Sequence, residues 1–393
     1  VASARKRRII ILGCTGSIGS TALAGLKAYK ADFEIVGLSA HTDYCGLVGV
    51  AKEWNVQNIC LSSEQVDFDQ SSLDSPHLVK FKGPHGLLTM IRETDADIVL
   101  NGIAGAAGLP PTFQALRSGK DVALANKESI VMAGEVLFNA AAESGRTVFP
   151  VDSEHSALYH LINAHGRQAV KSLIITASGG PFRELPKDRF ESITVAMAVA
   201  HPTWKMGAKI SIDSATLANK GLEVLEASYL FGFSSDAIEV VIHPQSIIHS
   251  MVRMIDGSIY AQLSPPDMSL PIMAALSHGE IPLTSVVRPL DFSNLTLSFT
   301  KPDLEKFPLL ALAFLCARAK GSYPIAYNAA NEIAVQAFLL GSIGFLDIAT
   351  IVGKTLQFPW ESSCTTVEEI LAVDSQARSA ASTLLKSLSG GRK

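Results

Sequence analysis

The sequence predicts an α/β fold, and three observations carry that reading. Short apolar runs alternate with helical periodicity over residues 1–150, the pattern of a parallel sheet covered by helices. A glycine-rich turn, Gly13-Cys14-Thr15-Gly16-Ser17-Ile18-Gly19, follows the first apolar run directly. From about Leu309 the chain is rich in Ala and Leu at helical spacing.

The elements follow in order. Arg8 to Gly13 reads as a buried strand and Ser17 to Lys30 as a helix. Phe33 to Ala40, Asp97 to Gly102, Asp121 to Asn126 and Thr147 to Val151 read as further strands, with a helix from about Asn126 to Gly145. Ser172 to Ser178 is strand-like. Glu239 to Pro244, Ile247 to Ile255 and Ser258 to Ser264 are three more apolar runs. Asp256-Gly257 between the last two is a hairpin signal, so this middle region reads as α+β with antiparallel strands. Pro282, Pro289, Pro302 and Pro308 mark a connecting arm. The expected division is 1–150, 151–279, an arm over 280–308, and a helical bundle over 309–393 ending in a frayed Ser/Gly/Lys tail.

Composition narrows the function. The 393 residues are 48% hydrophobic and 18% charged, which excludes disorder over most of the chain. Lys plus Arg is 33 and Asp plus Glu is 37, net −4. Arg5-Lys6-Arg7-Arg8 reads as a solvated lead-in to the first strand, and no basic stripe points to nucleic acid. No run reaches the roughly 18 apolar residues of a membrane span. The five cysteines show no CxxC spacing, so neither a disulfide framework nor a thiolate zinc site is expected, and a reducing compartment fits. The chain begins Val-Ala-Ser-Ala-Arg without an initiator Met or a signal-peptide apolar core, which leaves a trimmed targeting segment open.

Four stretches carry chemistry. The glycine turn at the first strand–helix junction is where a Rossmann-like domain approaches a pyrophosphate. Its plainer reading is a tight turn without a ligand. The second strand ends Leu38-Ser39-Ala40-His41-Thr42-Asp43 with no acid directly at its end, so NADP is preferred to NAD, with His41 and Thr42 near the 2′-phosphate. Pro150-Val151-Asp152-Ser153-Glu154-His155-Ser156 ends the last strand of the first domain. In extended backbone Asp152 and Glu154 would project to one side, as metal ligands or an acid/base pair; a helix cap is the rival reading. The run Ser211 to Ala227 is dense in small polar residues. There Ser214, Asn219 and Lys220 suit a phosphate, and Glu223 would complete an oxygen site for Mg²⁺ or Mn²⁺. Asp213 and Glu226 are rivals for that place, with solvated-face readings. Thr176 to Phe182 and His201 to Gly207 fit a lid containing His201 and Trp204, against a reading of Trp204 as packed core. Lys127 lies at the ligand edge of a strand, and His243-Pro244-Gln245-Ser246 is a polar island. Asn328-Ala329-Ala330-Asn331-Glu332 looks like a helix start. By residue type and spacing alone this is a metal-assisted NADP enzyme acting on a phosphorylated small molecule. A sugar-phosphate or homoserine-type dehydrogenase and a non-catalytic NADP(H) sensor are the rivals.

Together these runs resemble the 1-deoxy-D-xylulose 5-phosphate reductoisomerase family. The segments GCTGSIGSTAL, NGIAGAAGL, LANKES, PVDSEHSAL, TASGGPF, HPTWKMGAKISIDSATLANKGLEVLEA, HPQSIIHSMV and NAANEIAV carry the resemblance from Gly13 to about Val335. It implies an N-terminal Rossmann-like NADPH-binding domain, a central α+β catalytic domain with a lid loop, and a C-terminal helical bundle. It implies NADPH- and metal-dependent isomerisation and reduction of 1-deoxy-D-xylulose 5-phosphate to 2-C-methyl-D-erythritol 4-phosphate, in non-mevalonate isoprenoid biosynthesis. Asp152, Glu154 and Glu223 would bind Mg²⁺ or Mn²⁺, with Co²⁺ as a further candidate. Ser153, Glu154, Ser178, His201, Trp204, Ser214, Asn219, Lys220 and Glu223 would meet the substrate. Lys127 and His201 join the three carboxylates as catalytic residues, and Met206 helps cover the site. Thr15, Gly16, Ser17, Ile18, Ala40, His41, Thr42, Asn126, Glu128 and Gly207 would meet the cofactor. The resemblance also implies a homodimer, inhibition by phosphonate hydroxamates such as fosmidomycin, no nucleic-acid or membrane partner, and a cytoplasmic or, after transit-peptide removal, plastid-stroma location. The sequence departs from the family pattern at Cys14, where Ser is usual, and at Ala40-His41-Thr42.

Overall fold

Ile9, Ile10, Ile11 and Leu12 are fully buried, so the run that reads as a two-sided apolar strand lies at the centre of a sheet. The computed structural model describes residues 5–29, 32–66, 78–200, 204, 206–280 and 287–390. The chain packs as two units.

The first unit comprises Val1–Ser129, Leu137–Ser156 and Asp267–Val287. Its strands are β1 (Arg7–Leu12), β2 (Phe33–Ala40), β3 (Asn58–Leu61), β4 (Val79–Lys82), β5 (Ile98–Asn101), β6 (Asp121–Leu124) and β7 (Val148–Pro150). They form one sheet of order β4-β3-β2-β1-β5-β6-β7, parallel at every pairing. The order reverses between β1 and β5, which places the ligand crevice at the carboxyl ends of those strands. Helices α1 (Ser17–Leu26), α2 (Tyr44–Trp54), α3 (Gly83–Glu93) and α4 (Leu109–Arg117) supply the crossovers. The sequence reading left residues 41–96 without elements. β3 is only four residues long, and β4, Val-Lys-Phe-Lys, is an exposed edge strand with little apolar signal.

Helix α5 (Lys127–Ser144) starts in the first unit, and its segment Ile130–Val136 belongs to the second. It kinks at Ala133, whose φ of −134° is non-helical. Helix α6 (Ser153–His165) likewise passes from one unit to the other after Ser156.

The second unit holds β8 (Val170–Ala177), β9 (Ile238–Ile242), β10 (Ile248–Met254) and β11 (Ile259–Leu263), in the order β11-β10-β8-β9. The Asp256-Gly257 turn joins β10 and β11 as an antiparallel pair, as expected, with Gly257 at φ +91°. The expectation of antiparallel strands throughout is corrected at β8 and β9, which pair in parallel. The long crossover between them holds α7 (Val195–Val199), α8 (Ala208–Ala215) and α9 (Ala218–Phe231), which gives the chain room to return in the same direction. α10 (Ser269–Leu276) packs on α1 in the first unit. The remaining helices, α11 (Pro308–Ala319), α12 (Tyr323–Leu339), α13 (Phe345–Thr355) and α14 (Val367–Gly390), form the closing helical region. Phe182, Phe190, Phe307, Phe338 and Phe345 meet edge-on or tilted in its core. No helix among the described residues is long and apolar enough to cross a membrane.

Candidate active site

The first unit supplies a dinucleotide cradle. Gly13 has φ +77°, and the amides of Gly13 and Cys14 both donate to Ser39 O, at 3.0 and 2.8 Å. A Cβ at Gly19 would lie 2.4 Å from Gly13 O and 2.5 Å from Cys14 Cα, so the turn closes only with glycine there. Gly16 caps α1 without a side-chain hydrogen bond, and no acid stands in the first turn. Backbone N–H groups at such a helix start favour an anion. At the end of β2, His41 is exposed and its Nδ1 lies 3.1 Å from Ser62 Oγ. The Asp43 carboxylate accepts from Gly46 N at 2.9 Å and caps α2. The first acid after β2 is thus committed to a helix cap, which fits the NADP preference.

Two loops at the same sheet edge are tied by asparagines. Asn101, fully buried, donates to Gly108 O and Thr112 Oγ1 at 2.9 and 2.8 Å. Asn126 Nδ2 lies 2.7 Å from Ile103 O and 2.9 Å from both Gly105 O and Glu128 Oε2, while its Oδ1 accepts from Ser129 N. Sequence reasoning missed Asn101. Its signal was an amide ending a wholly apolar strand. At the start of α5 Lys127 pairs with Asp152, and both side chains are close to nine-tenths buried. Ser153 Oγ donates to Glu154 Oε2 at 2.5 Å.

The second unit supplies a polar turn. α8 ends at Ala215, Leu217 takes a left-handed conformation at φ +58°, and α9 begins at Ala218. In the first turn of α9, Lys220 Nζ lies 2.5 Å from Glu223 Oε2, and Asn219 Nδ2 lies 2.6 Å from Glu223 Oε1. Glu223 is 0% exposed and Lys220 3%, so the ammonium and the amide meet this carboxylate out of water. Ser178 Oγ accepts from Gly180 N at 3.3 Å in the loop after β8. Trp204 is half-buried, its ring centroid 6.3 Å from that of His249.

Three family descriptions match the chain in order. They are 1-deoxy-D-xylulose 5-phosphate reductoisomerase over residues 9–134, its C-terminal domain over 148–231, and a DXP reductoisomerase C-terminal domain over 263–380. The reductoisomerase of Treponema denticola is 45% identical over 96% of this chain and 96% of its own. That of Treponema pallidum is 46% identical over 96% of this chain and 97% of its own. The chain belongs to the 1-deoxy-D-xylulose 5-phosphate reductoisomerase family. A solved reductoisomerase of Zymomonas mobilis in complex with NADPH superposes with a TM-score of 0.90 at 40% identity, covering 98% of this chain and all of that one. A second, a complex with NADPH, fosmidomycin and magnesium, gives 0.90 at 39% identity over 97% of this chain and 99% of that one. The resemblance read from the motifs holds. The family is one of NADPH-dependent oxidoreductases, and its Rossmann-like parallel sheet and helical C-terminal region are those described above.

The structure places the expected reductoisomerase residues in two sets. Thr15 to Ile18, Ala40 to Thr42, Asn126 to Glu128 and Asp152 to Glu154 lie along the carboxyl edge of the parallel sheet in the first unit. Ser178, Trp204, Met206, Gly207, Ser214, Asn219, Lys220 and Glu223 belong to the second, where Gly207 caps α8. His201 and its neighbours Pro202, Thr203 and Lys205 lie outside the described residues. Three local readings are corrected. Asp152 and Glu154 do not share an extended strand. Ser156 N donates to Asp152 O, so Asp152 stands at the start of α6 and Glu154 in its first turn. Asp213 and Glu226 are not on solvated faces but 1% and 3% exposed. Asn328 and Asn331 do not start a helix. They lie in the middle of α12, both 0% exposed, where small neighbours let other helices pack over the amides.

Proposed function

We propose that this chain isomerises and reduces 1-deoxy-D-xylulose 5-phosphate to 2-C-methyl-D-erythritol 4-phosphate, with NADPH and a divalent cation. The observation that carries the reading is buried Glu223, held by Lys220 and Asn219, within a chain that matches the family over nearly its whole length. Asp152, Glu154 and Glu223 are assigned to the cation. The donor set fits, since carboxylate oxygens are what Mg²⁺ and Mn²⁺ take, and each set already carries an ammonium counter-charge from Lys127 or Lys220. A bound cation supplies Lewis-acid polarisation of the substrate oxygens, and NADPH the hydride.

The chain's own residues bind, orient and cover. Ser214 and Asn219 offer neutral donors and Lys220 a compact positive charge to the phosphate, and Ser178 offers a hydroxyl beside them. Ser153 and Lys127 line the reacting end, where the Lys127 ammonium is placed to stabilise developing negative charge. Trp204, Met206 and His201 cover the substrate and keep water out. The α1 N-terminus with Thr15, Gly16, Ser17 and Ile18 takes the cofactor phosphates, His41 and Thr42 the 2′-phosphate. Ala40, Asn126, Glu128 and Gly207 shape its surroundings. The division into a cofactor domain over 1–150, a catalytic and connective domain over 151–279, an arm and a helical domain belongs to this reading, as do a homodimer and a cytoplasmic or plastid-stroma setting. Phosphonate hydroxamates such as fosmidomycin are the matching inhibitors, the hydroxamate for the cation and the phosphonate for the turn at Ser214 to Lys220.

The test follows nicotinamide absorbance with 1-deoxy-D-xylulose 5-phosphate, with and without Mg²⁺ or Mn²⁺. Metal-dependent oxidation of NADPH is the expected result. Its absence in folded, NADPH-binding protein would sink the assignment.

A further inference from the structure

Asp213 and Asn331 are 118 residues apart in the chain, yet Asn331 Nδ2 donates to Asp213 Oδ1 at 2.8 Å. Asp213 is 1% exposed and Asn331 0%. The other carboxylate oxygen, Oδ2, lies 2.8 Å from Lys209 Nζ, one turn earlier on α8, on a side chain 28% exposed. The third neighbour is Tyr327, one turn before Asn331 on α12. Its phenol is fully buried and donates to Leu309 O at 3.1 Å. Burial above all, with the neighbouring Asp213 carboxylate, raises that phenol's pKa well above its ordinary value. A buried carboxylate with a lysine and an amide aimed at it is a costly arrangement, and α8 and α12 must keep their mutual position for it to survive.

What that position governs is the turn that follows. Asp213 directly precedes Ser214. Gly180 approaches so closely that a Cβ there would come within 2.7 Å of Ser214 O. Thr216 Oγ1 donates to Ile212 O at 3.0 Å and accepts from Ala218 N at 3.3 Å. Leu217, a non-glycine residue, is held at φ +58° between the two helices. A left-handed leucine persists only where its surroundings over-determine it. Asn219 and Lys220 follow at once in α9.

We propose that Asp213 and Asn331 are the positioning pair of the phosphate-binding turn, with Lys209 as counter-ion; the proposal rests on the reading of Ser214, Asn219 and Lys220 as phosphate ligands. Neither residue touches the substrate. α12 holds the end of α8 through this pair, and the end of α8 sets where the three phosphate-facing side chains stand.

The test uses the full chain with Asn331→Leu, Lys209→Met, and the exchange Asp213→Asn with Asn331→Asp. Three quantities are read: kcat and KM for the phosphorylated substrate, the inhibition constant of inorganic phosphate, and the Kd for NADPH. Asn331→Leu is expected to raise KM and the phosphate inhibition constant together, by roughly 10- to 100-fold, with the NADPH Kd unchanged. The exchange, which keeps one carboxylate and one amide face to face, is expected to restore most of the loss, whereas Asn331→Asp alone, with two buried carboxylates opposed, is not. Should Asn331→Leu fail to fold, Lys209→Met carries the test, since its partly exposed side chain can be removed and a several-fold rise in the same two constants is expected. A fall in kcat with the phosphate constant unmoved would overturn the proposal, as would an exchange no better than the single change. Lys220→Ala separates the two levels. If it weakens phosphate while Asn331→Leu and Lys209→Met do not, only the positioning role falls. If it leaves phosphate binding intact, the phosphate reading falls and takes the pair with it.

Discussion

Glu223 concentrates the chemistry of single residues. Its carboxylate is wholly buried and receives Lys220 and Asn219. Glu223→Gln is expected to bring metal-supported turnover to background while leaving NADPH affinity intact, as measured by cofactor titration beside the activity assay; full retained activity would remove it from the cation. Lys220→Ala is expected to raise KM for the phosphorylated substrate by about 10- to 100-fold, the equivalent of losing a charge-assisted hydrogen bond of ~1.5–3 kcal/mol. Cys14 shows the opposite case, a reactive residue type kept inert. Burial pushes its thiol up to about 12, so at neutral pH it stays a thiol. Cys45 is exposed. Mass spectrometry after brief alkylation should find Cys45 labelled and Cys14 untouched, and equal labelling would contradict the burial of the glycine turn. Cys14 therefore packs as a small apolar group under the turn and offers no nucleophile there.

The β1–α1 turn and the cap of α2 work as elements. Gly19→Ala forces a Cβ into backbone atoms of Gly13 and Cys14, neither of which can swing aside. The expected cost is about 1–3 kcal/mol of stability together with a loss of NADPH affinity, read by thermal melting and by titration. Asp43→Ala removes the cap of α2, for about 1 kcal/mol, and leaves the preference for NADPH over NADH in place. A switch toward NADH would mean that Asp43 acts on the ribose and not only on Gly46. Much at this scale was legible. Phe33–Ala40 spans the strand its apolar run predicts, and Asp256-Gly257 turns the expected hairpin. The β2–β3–β4 side was not, because edge strands and short strands carry too few apolar residues to stand out from loops.

At the scale of the whole molecule, the cation is expected to be needed for turnover and not for the fold. Both units carry their own apolar interiors, from Ile9 to Leu12 in one and the phenylalanine cluster in the other. Within each unit a lysine already pairs with one of the carboxylates assigned to the cation, Lys127 with Asp152 and Lys220 with Glu223. Chelation should therefore abolish NADPH oxidation with little change in melting temperature, and added Mg²⁺ or Mn²⁺ should restore it. A melting temperature that collapses on chelation would make the cation structural.

Periodicity, turn chemistry and motif spacing by themselves determined the parallel cofactor sheet, the glycine cradle at its first strand, the hairpin and the helical close. Each of these depends on residues near one another in sequence, so each leaves a local trace. The same motifs marked Asp152, Glu154, Lys220 and Glu223 as chemically interesting. Only the tertiary structure decided that β9 returns parallel to β8, that Lys127 pairs with Asp152, and that Asp213 is a buried carboxylate held by an amide 118 residues away. Burial and pairing are set by what packs over a side chain. For Asp213 and Asn331 the covering helices come from distant segments, so nothing in the flanking residues could distinguish a solvated acid from a buried one, or a helix start from the middle of α12.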